Sequence, residues 1–370
     1  MAYTTIDDPS AHFQIALYTG NGNDDKNIPF GSANYTDEYV GQEIQGDWFW
    51  FKRTDSATDH WEILDTTRGN GKISLKTSSA DTENDDDVTN DNTLKSIGSN
   101  DVTFGTDPQV NRAGEPYVAY IWKYNGGTRT TFTESSNNPG GGRQVNATAG
   151  LSMIDYTGTG GAGTLAHGLG VAPNFIIAKG RSVGEHWTVT MMNVANSPID
   201  ETDRIKLDVA ETAQDNSVYW NDTAATSTNV TVGSGDATNK DGDTFIMYAF
   251  ANIKGFSKAG HYKGNGSADG PFINLGFRPA WVMVKQTTTA NRDWRIIDAA
   301  RSPFNLADDE IKPNSNDAVT TSGMQLNLTA NGFKIKTTST ACNSSGDSYI
   351  YLAFAQHPFV TSSGVPVGAK

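Results

Sequence analysis

One segment design is written three times in this chain of 370 residues, and three-fold repetition constrains the fold more than any other feature. Each copy opens on a Tyr-x-Gly-x-Gly motif: Tyr18-Thr19-Gly20-Asn21-Gly22, Tyr156-Thr157-Gly158-Thr159-Gly160 and Tyr262-Lys263-Gly264-Asn265-Gly266. An apolar run ending in lysine follows: Trp48-Phe49-Trp50-Phe51-Lys52, Phe175-Ile176-Ile177-Ala178-Lys179 and Trp281-Val282-Met283-Val284-Lys285. Next comes a tryptophan, at Trp61, Trp187 and Trp294. An aromatic segment closes each copy: Tyr117-Val118-Ala119-Tyr120, Met247-Tyr248-Ala249-Phe250 and Tyr351-Leu352-Ala353-Phe354. Aligned on the alanines Ala119, Ala249 and Ala353, the lysine-to-alanine spacing is 67, 70 and 68 residues. Repetition without a shared catalytic group points to a building block.

The segments read as strands. Met324-Gln325-Leu326-Asn327-Leu328 alternates apolar and polar residues, and Asn331-Gly332 then leads into the alternating Phe333-Lys334-Ile335-Lys336. Asn-Gly tolerates the positive φ of a tight hairpin turn. Asn70-Gly71, before Ile73 and Leu75, repeats the pattern. The lysine-terminated runs have no polar gap and predict strands buried on both faces. The closing alanines predict a close approach of a ring or backbone. Together these features predict an all-β chain of three tandem antiparallel β-sandwich modules, jelly-roll-like and arrayed in series. The expected boundaries are 1–134 for the first module, 135–150 for a Gly-rich linker, 151–254 and 255–360 for the second and third modules, and 361–370 for a tail. Module one carries insertions at 23–46 and 81–91.

A formal net charge of −14 and the lack of a basic run argue against nucleic acid as a partner. The single cysteine, Cys342, makes no internal disulfide, so stability must come from packing. With 8 Trp, 13 Tyr and 16 Phe, small cores filled by rings are feasible. No stretch approaches the roughly 20 apolar residues of a spanning helix, so membrane insertion is not expected. Met1-Ala2-Tyr3-Thr4-Thr5 does not read as a signal peptide, and synthesis in a cytoplasm is the expectation.

No catalytic, metal or cofactor site stands out. Asp65 and Arg68 follow Trp61 at the same offsets as Asp298 and Arg301 follow Trp294, while copy two has Met191 and Val194 there. The pair reads as a turn, with the carboxylate accepting backbone N–H groups and the guanidinium forking onto it; a ligand site is the alternative. The acidic run 81–91 reads as a solvated loop, with calcium as the alternative. The six histidines, His12, His60, His167, His186, His261 and His357, lack zinc-site spacing. The Tyr-x-Gly-x-Gly motifs read as strand-end turns and not as phosphate cradles. Trp220, between Tyr219 and Asn221, is the candidate surface ring for stacking on a sugar, with burial as the competing reading.

Several segments resemble a family of virion structural proteins of tailed bacteriophages, of marine and cyanobacterial phage type. They are Met1-Ala2-Tyr3-Thr4-Thr5-Ile6-Asp7-Asp8-Pro9, the stretch from Phe256 through His261-Tyr262-Lys263-Gly264-Asn265-Gly266 to Gly270, Gly276-Phe277-Arg278-Pro279-Ala280 and Leu352-Ala353-Phe354-Ala355-Gln356-His357-Pro358-Phe359-Val360. Copy one departs from the pattern: Gln45-Gly46-Asp47 precedes its apolar run, where the other copies carry Pro173 and Pro279. The resemblance implies a fibre-like, non-enzymatic virion protein without cofactor. Its partners would be other virion proteins, further copies of itself (a trimer in a fibre) and a host surface glycan or protein. A head or tail decoration with a purely architectural role is the alternative. A glycan depolymerase is a third reading, which needs two facing carboxylates.

Overall fold

The structure is a computed structural model that describes residues 3–30, 44–68, 73–83, 93–321 and 323–367. The chain is all-β. Copy one contains β1 (Phe13–Thr19), β2 (Lys26–Pro29), β3 (Trp48–Arg53), β4 (Glu62–Asp65), β5 (Leu94–Ile97), β6 (Asp101–Phe104) and β7 (Pro116–Trp122). Then come β8 (Thr130–Phe132), β9 (Gly141–Asn146), β10 (Leu151–Thr157), β11 (Gly163–Ala166), β12 (Phe175–Gly180), β13 (Thr188–Met191), β14 (Asp203–Lys206), β15 (Gln214–Asp215), β16 (Asn229–Val232) and β17 (Thr244–Phe250). Copy three contains β18 (Ser257–Lys263), β19 (Phe272–Asn274), β20 (Phe277–Gln286), β21 (Arg295–Asp298), β22 (Leu326–Thr329), β23 (Gly332–Ile335) and β24 (Ser348–Pro358). The α-helices among the described residues are single turns: α1 (Pro108–Asn111), α2 (Asp236–Asn239) and α3 (Thr340–Asn343), one before each closing strand.

One sheet order recurs. It runs β1-β7-β3-β4 in copy one, β10-β17-β12-β13 within the eight-stranded sheet of copy two, and β18-β24-β20-β21 in copy three. The pairing sets the true equivalences. Lys52 lies opposite Val118, Lys179 opposite Ile246, and Lys285 opposite Ile350. Aligning the closing strands on alanine therefore places copy one two residues out: the counterpart of Ala249 and Ala353 is Ile121. A slip of two leaves every side chain on its own face of the sheet, so the apolar pattern gave no warning.

The main sheets are buried on both faces, which is why their strands carry unbroken apolar runs. Trp48 and Trp50 of β3 face a central core, and Phe49 and Phe51 face a local core shared with Ile28, Leu94, Val102 and Phe104 of a smaller sheet, β2-β6-β5. Copies two and three divide their residues in the same way, over the small sheets β11-β16 and β19-β23-β22. All three copies supply the central core. There the equivalent rings of Trp122, Phe250 and Phe354 meet, the Phe354 centroid lying 5.7 Å from that of Trp122 and 6.0 Å from that of Phe250. The copies are thus not beads in series; each packs one apolar face of its main sheet against the other two.

The Tyr-x-Gly-x-Gly motif locks the end of the first strand onto the one-turn helix. Tyr18 Oη donates to Val110 O at 2.9 Å, Tyr156 Oη to Thr238 O at 2.6 Å, and Tyr262 Oη to Cys342 O at 2.8 Å. A Cβ on the first glycine would sit 2.2 Å from a carbonyl oxygen in each copy, and the second glycine has φ of +67°, +69° and +69°. The last helix residue is a buried asparagine, Asn111, Asn239 or Asn343, whose Oδ1 accepts the backbone N–H of the residue between the motif's two glycines at 2.9 Å every time.

The stretch expected as a linker holds a strand. β9 pairs with β10, and β8, placed by the sequence reading in module one, pairs with β9 in the sheet of copy two. Gly141 and Gly142 serve close packing there: an added Cβ would lie 2.0 Å from Asp155 O and 2.3 Å from the Arg129 guanidinium, respectively.

Candidate binding site at the junctions between copies

Three equivalent indole groups join the copies. Trp187 Nε1 of copy two donates to Lys76 O of copy one at 2.9 Å, Trp61 Nε1 of copy one to Lys312 O of copy three at 2.9 Å, and Trp294 Nε1 of copy three to Lys206 O of copy two at 2.7 Å. Three like steps return to the start, so the copies are related by an approximate three-fold rotation and form a closed ring.

A second set of contacts follows the same direction but is made only twice. Tyr248 Oη of copy two donates to Asp65 Oδ2 of copy one at 2.7 Å, and Tyr120 Oη of copy one donates to Asp298 Oδ2 of copy three at 2.8 Å. Each aspartate behaves as the turn reading predicts. Asp65 Oδ1 accepts the N–H groups of Thr67 and Arg68, Asp298 Oδ1 those of Ala300 and Arg301, and Oδ2 takes the arginine Nε at 2.6 Å in both copies. At the remaining junction Leu352 replaces the tyrosine, and Met191 and Val194 replace the Asp–Arg pair, within the central core. Polar partners are present together or absent together, because either one buried alone would carry an uncompensated desolvation cost. Burial raises the tyrosine hydroxyls of Tyr120 and Tyr248 well above their ordinary pKa, which favours the protonated form that donates. Burial also works against the Arg68 and Arg301 charges, but the paired aspartates outweigh it and hold both guanidinium groups above their ordinary value.

The outer part of each junction has a third recurring contact, and here the copies differ most. A loop N–H reaches the carbonyl two residues beyond the buried lysine: Glu83 N to Arg181 O at 2.8 Å, Val319 N to Thr54 O at 2.8 Å, and Ala213 N to Thr287 O at 3.0 Å. Glu83, Val319 and Ala213 are therefore equivalent, as are Arg181, Thr54 and Thr287. Between copies one and two, Glu83 takes both Arg181 Nε (2.7 Å) and Nη2 (2.9 Å), and its Oε2 lies 3.7 Å from Arg68 Nη1. Between copies three and one, Val319 brings no carboxylate. A cleft of about 420 Å³ opens there, lined by Leu17, Tyr18, Thr19, Thr54, Pro116, Tyr117, Ala300, Arg301, Asp309 and Val319. The Arg301 side chain is 6% exposed, its Nη2 reaches Tyr120 Oη at 3.2 Å, and its Nη1 has no hydrogen-bond partner among the described residues. This cleft is the candidate site.

The repeated lysines are buried. Lys52 Nζ donates to the carbonyls of Arg53 and Ser56, Lys179 Nζ to those of Ala80, Gly180 and Glu185, and Lys285 Nζ to that of Gln286. Burial pulls each amine down to about 8.

The other residues singled out in the sequence fall as follows. Trp220 is fully buried in the local core of copy two, so the burial reading holds and this ring presents no face to a sugar. Of the acidic run, residues 84–91 lie outside the described residues. Glu83 is no solvated carboxylate, since Arg181 holds it at the junction. His186 pairs with Asp208 at 2.6 Å, and His60 Nδ1 meets Ser78 Oγ at 2.8 Å. Among the described residues no three metal-ligating side chains cluster. Sequence reading missed the buried asparagines, although each stands six residues before a closing-strand ring (Tyr117, Phe245, Tyr349). It also missed Glu83 and Val319, whose equivalence shows only through backbone pairing.

The chain belongs to a family described as a domain of unknown function, DUF7483, which matches residues 8–358. No curated protein and no solved structure matches it.

Proposed function

We propose that the chain is a non-enzymatic structural protein of a tailed-bacteriophage particle, displayed on an external appendage where its loops meet the host surface. The observation that carries this reading is the closed ring: three equivalent indole-to-carbonyl bonds around an aromatic centre make a rigid scaffold. The repeated indoles and the tyrosine–aspartate contacts are engaged in holding the copies together, and recognition then falls to loops on the scaffold. Phe304, 82% exposed on the loop between Arg301 and Asp309, is one such loop side chain. The sequence resemblance supports the particle assignment. Other virion proteins, and further copies of this chain, are the partners the proposal includes. Many copies on one particle would turn weak single contacts into firm attachment through high effective concentration.

The test is antibody labelling of intact particles combined with adsorption competition by the purified protein. The proposal expects label on an appendage and reduced adsorption. Label on the particle without competition would favour the architectural alternative, and no label would overturn the assignment.

A further inference from the structure

The two junctions that carry an Asp–Arg pair form an internal comparison. In one, the outer side of the arginine is met by a carboxylate from the same chain: Glu83 Oε2 stands 3.7 Å from Arg68 Nη1. In the other, the equivalent residue is Val319: neither Arg68 Nη1 nor Arg301 Nη1 has a hydrogen-bond partner among the described residues, but Arg301 also lacks a second carboxylate within ion-pair range and stands beside a cleft of about 420 Å³. A buried guanidinium N–H without an acceptor is costly, and a charged acceptor is its best match. The lining fits a ligand with both character types. Tyr18, Tyr117, Pro116 and Val319 give an apolar wall, with Tyr18 stacked on Tyr117 at 5.0 Å between centroids, and Thr54 adds a hydroxyl. Asp309 also lines the cleft, but Ser302 Oγ holds its Oδ2 at 3.0 Å and, among the described residues, Arg301 pairs with Asp298 alone. Asp309 opposes any added negative charge and opposes a second one more strongly, which favours a monoanion held on the Arg301 side over a dianion.

We propose that this cleft binds a small monocarboxylate with an apolar body, whose carboxylate takes at Arg301 the place that Glu83 takes at Arg68. The chain thus carries in one junction the image of the ligand that the other receives. The inference concerns the isolated protein and does not depend on where the protein sits in a particle.

Benzoate is a suitable probe and benzamide its neutral control, both read by the thermal unfolding midpoint and by titration calorimetry on the full chain. Benzoate is expected to raise the midpoint with concentration, since a ligand bound only by the folded state stabilises it. Benzamide is expected to have no such effect. The double variant Val319→Glu with Thr54→Arg rebuilds the closed junction; it should raise the midpoint without ligand and abolish the benzoate response. Arg301→Lys keeps the charge but loses the planar fork, and should weaken benzoate by about tenfold or more. No response to benzoate, an equal response to benzamide, or unchanged benzoate affinity in either variant would overturn the proposal.

Discussion

The junction of copies one and two and the junction of copies three and one are assembled from the same parts. Each has a tryptophan donating to a backbone carbonyl, a tyrosine donating to an aspartate, and an arginine three residues beyond that aspartate. They part company at two facing positions, Glu83 with Arg181 in the first and Val319 with Thr54 in the second. Glu83 fills the first with a carboxylate shared by Arg68 and Arg181, and Val319 leaves the second open. A repeat can therefore hold its architecture through contacts that all copies keep while two substitutions turn a closed junction into an open one. The junction of copies two and three marks the other extreme, where the polar set is replaced by Leu352, Met191 and Val194 and, of the three recurring contacts, the indole and loop-backbone ones are kept.

The largest predicted effect comes from taking away one member of a buried pair. Asp65→Ala takes from the fully buried Arg68 its hydrogen-bonded carboxylate, with Glu83 no nearer than 3.7 Å, and should cost about 3–5 kcal/mol, measured by urea unfolding. Asp298→Ala should cost less, because the Arg301 side chain keeps 6% of its surface exposed at the cleft whereas Arg68 keeps none. Equal losses at the two sites would break the distinction between a closed and an open junction.

Next in size is a pH dependence common to all three copies. The folded-state pKa of Lys52, Lys179 and Lys285, about 8, lies below the ordinary 10.5. Between those values the unfolded chain binds more protons than the folded one, so stability should rise as pH increases from about 8 towards 10. The gain should be on the order of 1 kcal/mol per lysine. Cys342, pushed up to about 12 by burial, opposes this from pH 9 onward with a single group. Above about pH 10 the buried tyrosines reverse the trend, since the unfolded chain ionises them first. Urea midpoints at pH 7.5, 8.5 and 9.5 check the rise, and a flat or falling series contradicts it.

A smaller effect sharpens the comparison further. Tyr248→Phe and Tyr120→Phe each remove one donor to a carboxylate and should cost about 1–2 kcal/mol. Leu352→Tyr would place a hydroxyl in the apolar junction without an acceptor and should also destabilise, although it installs the residue the other copies have. Neutral behaviour of Leu352→Tyr in the same urea measurement would show that the third junction has room for water.

Much of the fold was legible in the residues. Unbroken runs such as Trp281-Val282-Met283-Val284 declared strands covered on both sides; Asn331-Gly332 marked the right hairpin but one residue out, since the turn is Ala330-Asn331, neither has positive φ, and Gly332 already pairs with Thr329. The Asp–x–x–Arg turn was also readable, because both ends of that interaction are side chains at a fixed spacing. The ring was not. Its three indole bonds end on backbone carbonyls, and a carbonyl has no sequence signature. The closing strands were aligned two residues out in copy one because a strand's apolar pattern repeats every two residues. Glu83 was hidden in an acidic run, where composition suggested solvation and only the pairing with Arg181 reveals its position. The candidate cleft depends on Val319, an ordinary apolar residue whose meaning lies in its two counterparts.

A calorimetric scan of the full chain tests the central claim most directly. If the copies share one aromatic core and close on one another, they unfold together. The account then predicts a single transition with calorimetric and van't Hoff enthalpies in a ratio of about one. Two or three separable transitions would contradict it and return the copies to independent units on a string.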